Sequence, residues 1–263
     1  MLKYISRKKF PIFKKIPLFF KRKGVFTMQY NRILLKLSGE ALSGETSELY
    51  DEQFLAQIAE QLKSCLASGM QISIIVGAGN IWRGRQGEWM DRCRADGMGM
   101  LATVINAIAL QDAFIRHGLS ATVMTATSMA PYGELFSPDA AIAAMEQGKI
   151  VIFGGGLGQA YFSTDTAASL RAAQIKADAI LLAKNIDGIY DRDPHGKDGH
   201  LAKKYSEISC TRILTEKLRA IDFTSAALNM ESGITAVAFA LSEENAILRV
   251  ASGEQLGTLI TPN

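Results

Sequence analysis

KIVIFGGGLGQAYFSTDTAASLRAAQI, residues 149–175, sets the reading of the whole chain. KIVIF (149–153) is a short apolar run of strand length, the pattern of a strand buried on both faces. Four glycines follow at 154, 155, 156 and 158. Ser163, Thr164 and Asp165 then introduce a helix-like stretch, TAASLRAAQI (166–175). Strand, turn and helix make one βα unit. The plain reading of the turn is a strand–helix connection closed by an ordinary N-cap. The sharper one is a cradle of backbone N–H groups at a helix start, where an anion is held.

The same grammar repeats outward. RILLKLS (32–38), QISIIVG (71–77), SATVMTA (120–126) and ADAILLA (177–183) are further strand-length apolar runs, and ITAVAFAL (234–241) and GTLI (257–260) follow later. Helical patterns separate them. In 51–69 the apolar face is Phe54, Leu55, Ile58, Leu62 and Leu66, stopped by Gly69. The stretch 98–118 is apolar over a wide arc, as a core or subunit-interface helix is. SPDAAIAAMEQG (137–148) offers Ser137 as N-cap and Pro138 at the first helical position. Shorter helical stretches fall near 211–219 and 223–232. Alternating strands and helices predict an α/β fold, a three-layer αβα sandwich around a mainly parallel central sheet. No repeat and no linker divides residues 28–263, which read as one domain with parts at about 28–183 and 184–263.

The formal charge of +3 conceals two regions. Residues 1–27 carry nine Lys and Arg and no acid; without them 20 basic face 26 acidic residues, a net −6. The body therefore offers no general attraction to nucleic acid. The basic segment fits an anionic-surface or targeting role, and its preferred reading is a disordered extension, with Met28 standing immediately before the first strand. Its apolar runs are far short of the roughly 20 residues that span a bilayer. Cys65, Cys93 and Cys210 lie far apart with no CxxC, which argues for a reducing, cytoplasmic setting and against a disulfide framework or zinc site. His117, His195 and His200 form no metal-ligand spacing.

In parallel α/β sheets ligands bind beyond the carboxyl ends of the strands. Three glycine turns belong there: KLSGEAL (36–42), GAGNIWRG (77–84) and GGGLGQAYFSTD (154–165). Two carry a cation, Lys36 and Arg83. Three such turns on one rim suggest a ligand with several phosphates. No GxxxxGK[ST] and no GxGxxG after the first strand is present, so neither a Walker A nor a dinucleotide site accounts for them.

Those turns, with ADGMGMLAT (95–103), FSTDTAA (162–168) and DGIYDRDP (187–194), resemble the bacterial uridylate kinases of the amino acid kinase superfamily. The resemblance runs in order from about Arg32 to Ile260, and ADGMGMLAT is its most specific piece. It implies transfer of the γ-phosphoryl group of ATP, with Mg²⁺, to UMP, giving UDP and ADP in pyrimidine nucleotide synthesis. It also implies Lys36 and Arg83 at the transferring phosphoryl group, with Asp165 and Asp222 orienting Lys36 or meeting the metal. For ATP it implies Lys36, Leu37, Ser38, Gly39, Gly79, Arg83, Asn185, Tyr190 and Asp193. For UMP it implies Ala78, Asp96 and the run Leu157, Gly158, Gln159, Ala160, Tyr161, Phe162, Ser163 and Thr164. Asp96 also reads as an N-cap for a helix starting near Gly97, and Asp222 as one before TSAAL (224–228). Homohexamers and UTP feedback inhibition are family traits carried by the same resemblance.

Two departures stand out. Ala78 replaces the middle glycine of the second turn, which requires φ < 0 there. GETSELYD (44–51) replaces a glycine- and phenylalanine-containing segment associated with GTP activation, so that activation is expected to be weak or absent. The competing expectations are a superfamily kinase with a carboxylate or carbamate acceptor, and a noncatalytic nucleotide-binding protein.

Overall fold

The computed structural model describes residues 29–44, 46, 48–82, 87, 89–194, 196, 198–218 and 220–263. The basic extension 1–27 and Arg83 lie outside them. In chain order the strands are β1 (Arg32–Leu37), β2 (Gln71–Val76), β3 (Ala121–Thr125), β4 (Glu134–Leu135), β5 (Ile150–Gly154), β6 (Ala179–Lys184), β7 (Ile189–Tyr190), β8 (Lys204–Tyr205), β9 (Glu207–Ser209), β10 (Thr235–Ala240) and β11 (Thr258–Thr261). The helices are α1 (Glu52–Ala67), α2 (Arg92–Arg116), α3 (Pro138–Glu146), α4 (Thr164–Gln174), α5 (Cys210–Thr215), α6 (Phe223–Ser232) and α7 (Ala246–Ala251).

Nine strands form one sheet in the order β4-β3-β5-β2-β1-β6-β10-β11-β9, and β7 and β8 form a small hairpin. Every pairing from β4 to β10 is parallel, and β11 runs against β10. The expected mainly parallel sheet is therefore present. Helices cover both faces because both faces of the central strands are apolar. Along β1, Ile33, Leu35 and Leu37 enter the core beneath α1, α2 and α7, while Leu34 enters the core beneath α3, α4, α5 and α6. This is a three-layer αβα sandwich.

Local chemistry fixes the helix ends. Asp51 caps α1 through bonds from the Gln53 and Phe54 amides, and Ser137 caps α3 with Pro138 in its first turn. Gly233 closes α6 in the left-handed conformation, φ 72°. Helix α2 starts six residues before the apolar arc, at Arg92 with Asp91 as its cap. Asp96 is thus inside the helix, and its reading as an N-cap is corrected. The sequence reading also passed over the short α7.

Helix α2 is long and apolar enough by composition to cross a membrane, but it packs on β5, β3 and β2 as part of the core. Its other face leaves Met98, Leu101, Ile105, Ile108 and Ile115 exposed.

From β1 the chain moves first to β2 on one side; from β6, hydrogen-bonded to the opposite edge of β1, it moves on to β10. The carboxyl ends of β1 and β6 therefore flank the point where the winding reverses, the usual crevice for a ligand in an open α/β sheet.

Candidate active site

Side-chain alternation carries Lys36 out of β1 on the face of Leu34, towards α4 and α6. Ser163 sets the start of α4: its Oγ accepts from the amides of Asp165 at 3.0 Å and Thr166 at 3.2 Å. This cap places Asp165 in the first turn, with Oδ1 at 3.2 Å from Lys36 Nζ; the two side chains are 13% and 17% exposed. Burial pushes the Asp165 carboxyl upward, but the positive charges of Lys36 and Lys184 outweigh it and hold the group below the usual carboxylate range.

Asp222 has different work. It caps α6 by accepting from the Ser225 amide at 2.7 Å. It also accepts from the hydroxyls of Ser163 and, at 2.9 Å, Thr166. The carboxylate clasps the N-termini of α4 and α6 together. Both helices direct their amide ends into one region beside Lys36, where negative charge is favoured.

The first two glycine turns touch backbone to backbone. A Cβ placed on Gly39 would come within 2.5 Å of Gly79 N and Asn80 Oδ1, and one on Gly79 within 2.6 Å of Glu40 Oε1. Only hydrogen fits at Gly39, where backbone is the obstacle; at Gly79 the Glu40 side chain would have to move aside. Ala78 has no positive φ, so its methyl group is accommodated as expected. The second turn is anchored by Asn106 of α2, which is fully buried. Asn106 Nδ2 donates to Gly77 O at 2.7 Å and Asn80 Oδ1 at 2.8 Å; Asn106 Oδ1 accepts from Asn80 Nδ2 at 3.1 Å and the Tyr50 hydroxyl at 2.9 Å.

The third turn is laced to the same helix. A Cβ on Gly154 would lie 3.2 Å from Val104 Cα, and Thr103 Oγ1 accepts from the Gly155 amide at 2.8 Å. Further along, Asp96 Oδ2 accepts from the Tyr161 amide at 2.8 Å, and Arg92 Nε donates to both Asp96 oxygens at 2.9 Å. The Arg92 guanidinium also lies 5.2 Å from the centre of the Tyr161 ring. Tyr161 has φ 71° and is exposed, as is Phe162. Leu157 packs against the core on the α4 side, Gln159 is exposed, and Gly158, Ala160 and Thr164 are intermediate. Asp96 and the run 157–164 are thus brought together.

On the other side of Lys36, a 410 Å³ cleft is lined by Lys36, Ser38, Glu40, Ala183, Lys184, Asn185 and Ile186. Leu37 is buried beneath it in the α1 core. Tyr190 lies in the hairpin beyond, where its hydroxyl donates to Asp187 Oδ1 at 2.7 Å and Lys204 Nζ donates to Asp187 Oδ2 at 2.8 Å. Those two hydrogen bonds hold the Asp187 carboxyl below its ordinary range. Asp193 sits in a turn closed by the bond from Gly196 N to its carbonyl at 3.1 Å. Of the expected donor-side residues, Ser38, Asn185 and Lys36 share one cleft; Tyr190 and Asp193 do not line it.

Sequence reading missed Lys184, Asn106 and Arg92. Each carries a usable signal: a lysine ending an apolar strand, an amide inside an apolar helix, and an arginine one turn before an aspartate.

The amino acid kinase family model matches residues 31–252. The chain is 33% identical to a UMP kinase from Bacillus anthracis, with a TM-score of 0.84, covering 89% of this chain and 97% of that one. It is 34% identical to a UMP kinase from Ureaplasma parvum, with a TM-score of 0.82, covering 89% of this chain and all of that one (100%). A uridylate kinase from Archaeoglobus fulgidus, at 24% identity and a TM-score of 0.65, shares the fold. With its parallel sheet, its three glycine turns and the Lys36–Asp165 pair at the reversal point, the chain belongs to the amino acid kinase family, in the company of the bacterial UMP kinases.

Proposed function

We propose that this chain is a UMP kinase that moves the γ-phosphoryl group of ATP to a phosphate oxygen of UMP. The bond between the γ-phosphorus and its bridging oxygen breaks, a bond from the UMP oxygen forms, and ADP and UDP leave; the transfer is reversible. The observation that carries the reading is Lys36, paired with Asp165 at the helix start and opening into the cleft that Ser38 lines. The UMP kinases that this chain resembles argue against a carboxylate or carbamate acceptor.

Phosphoryl transfer passes through a loose transition state with charge spread over the moving group, so catalysis is placement and charge compensation. Lys36 offsets that charge, and Asp165 aims its ammonium. Leu37, Ser38, Gly39 and Gly79 offer backbone and hydroxyl contacts to the donor phosphates, while Asn185, Tyr190 and Asp193 serve the adenosine. Asp96 accepts from the UMP ribose; Ala78 and the run 157–164 surround the nucleotide, and Thr164 meets its phosphate at the start of α4. Arg83 joins the phosphates at the donor–acceptor junction. No general base is required, because the acceptor is already an ionised phosphate oxygen.

Among the described residues no three His, Cys, Asp or Glu side chains converge to cage a metal. Mg²⁺ keeps several waters and is held largely by substrate phosphates. Asp165 and Asp222 are the carboxylates that would meet it, directly or through water; Asp165 faces Lys36, and Asp222 accepts from Ser163, Thr166 and Ser225. Held there, magnesium would offset donor phosphate charge. We also assign the exposed apolar face of α2 to self-association within a cytoplasmic homohexamer, with UTP as a feedback inhibitor.

The test is a panel of nucleoside monophosphates with MgATP, on wild type and Lys36→Ala. UMP is the preferred acceptor, and the variant loses about 10³-fold or more in turnover while keeping the wild-type circular dichroism spectrum. Equal rates with all acceptors, or an active variant, would refute the assignment.

A further inference from the structure

So far Lys184 has appeared only as a charge acting on Asp165 and a lining of the cleft. It ends β6, and parallel pairing sets Lys36 of β1 beside Leu182 of β6. Lys184 is two residues further on, so it leaves the sheet on the same face as Leu182 and Lys36. The two ammonium groups emerge from adjacent strands at the point where the winding reverses, and both line the 410 Å³ cleft with Ser38 and Asn185.

Lys184 is half-buried, and its bonding leaves N–H groups to spare. Nζ donates to the Ala220 carbonyl, its one hydrogen-bond partner among the described residues, although an ammonium carries three N–H groups. Among the described residues no carboxylate forms a direct salt bridge with it: Asp165 is in contact with Lys36 and reaches Lys184 only through its field, and Asp222 accepts from Ser163, Thr166 and Ser225. A lysine that served only to tether the Ala220 carbonyl would not need to share a cleft with a second lysine. Two lysines sharing the one charge of Asp165 leave a net positive site, where an arriving anion is favoured.

We propose that Lys184 is a second phosphate-binding residue for the donor nucleotide, gripping the polyphosphate from the β6 side while Lys36 meets it from β1. This rests on the kinase reading above and adds a residue to it. The ligand class is a nucleoside di- or triphosphate; a nucleoside without phosphates gains nothing from Lys184.

The experiment measures dissociation constants of ATP, ADP, AMP and adenosine by calorimetry for wild type, Lys184→Met and Lys184→Gln, alongside the KM for UMP. Lys184→Met removes the charge at similar length. Lys184→Gln keeps a donor for the Ala220 carbonyl and provides the same comparison if the methionine variant does not fold. ATP and ADP weaken by about 10- to 100-fold in the variants, whereas adenosine and the KM for UMP stay within about twofold. Parallel weakening of all four ligands shows that Lys184 only shapes the cleft, and unchanged ATP affinity shows that it is idle; either overturns the proposal alone. A wild type that binds none of the four overturns the kinase reading as well.

Discussion

Gly39→Ala tests the crowding of the first two glycine turns. The new methyl carbon would sit 2.5 Å from Gly79 N and from Asn80 Oδ1, where ordinary contact begins at 3.4 Å. Both obstacles are anchored: Gly79 is backbone, and Asn80 is held by Asn106. The turns must therefore part by about 0.9 Å, the difference between those two distances. Overpacking of this kind costs about 1–3 kcal/mol, which lowers the Tm of a chain this size by roughly 2–12 °C. Displacement of donor-side amides by nearly 1 Å lowers kcat/KM by about 10²-fold. Gly97→Ala in α2 is the control, because a Cβ there meets nothing within 4 Å; it raises stability by about 0.5–1 kcal/mol. Differential scanning fluorimetry and a coupled ADP-release assay read both quantities. A Gly39→Ala protein with wild-type Tm and kcat/KM would mean that the two turns do not meet as described.

Asp165→Asn at pH 7 leaves Lys36 and Lys184 without their shared carboxylate charge and costs about 3–5 kcal/mol in denaturant unfolding. Because the folded Asp165 titrates below the unfolded chain, its contribution is full above the unfolded value and fades as pH falls through the folded one. The gap between variant and wild type therefore closes in acid, and a gap independent of pH would contradict the charge argument. Burial pushes the thiol of Cys65 up to about 12 and that of Cys210 up to about 11, while Cys93 is exposed. A disulfide reagent at pH 8 accordingly titrates one thiol in the native protein and three after unfolding; three rapid native thiols would refute the packing. Leu101→Glu with Ile105→Glu charges the apolar face of α2 and dissociates the assembly in light scattering; unchanged mass, or a monomeric wild type, would exclude that face as the interface. GTP leaves the rate within about twofold, and a severalfold rise would restore the activation that segment 44–51 argues against.

The strands and the rim were legible because their signals are local. Apolar runs such as RILLKLS declare buried strands, and the three glycine turns declare where the backbone must be approached closely. Ser137 was readable as a cap for the same reason. What escaped depends on partners remote in sequence. Asp96 looks like a cap until Tyr161, 65 residues away, is found donating to it. Asp222 reads as the cap it is, but its clasp on α4 comes from residues 56 and 59 positions away. Lys184 looks like the polar end of a strand until β6 is paired with β1.

Helix α2 has a bearing on how variants of its outer surface are interpreted. Asn106, which grips the second glycine turn, is the next residue after Ile105, which points to solvent. The wall against which a neighbouring subunit would press is also the back of the mount for the phosphate turn, about 10 Å thick. A tilt of this one rod moves both. If subunits meet on this face, kinetic defects are expected in subunit-contact mutants even where the fold is intact, because loss of assembly and loss of turnover would then share one mechanical cause.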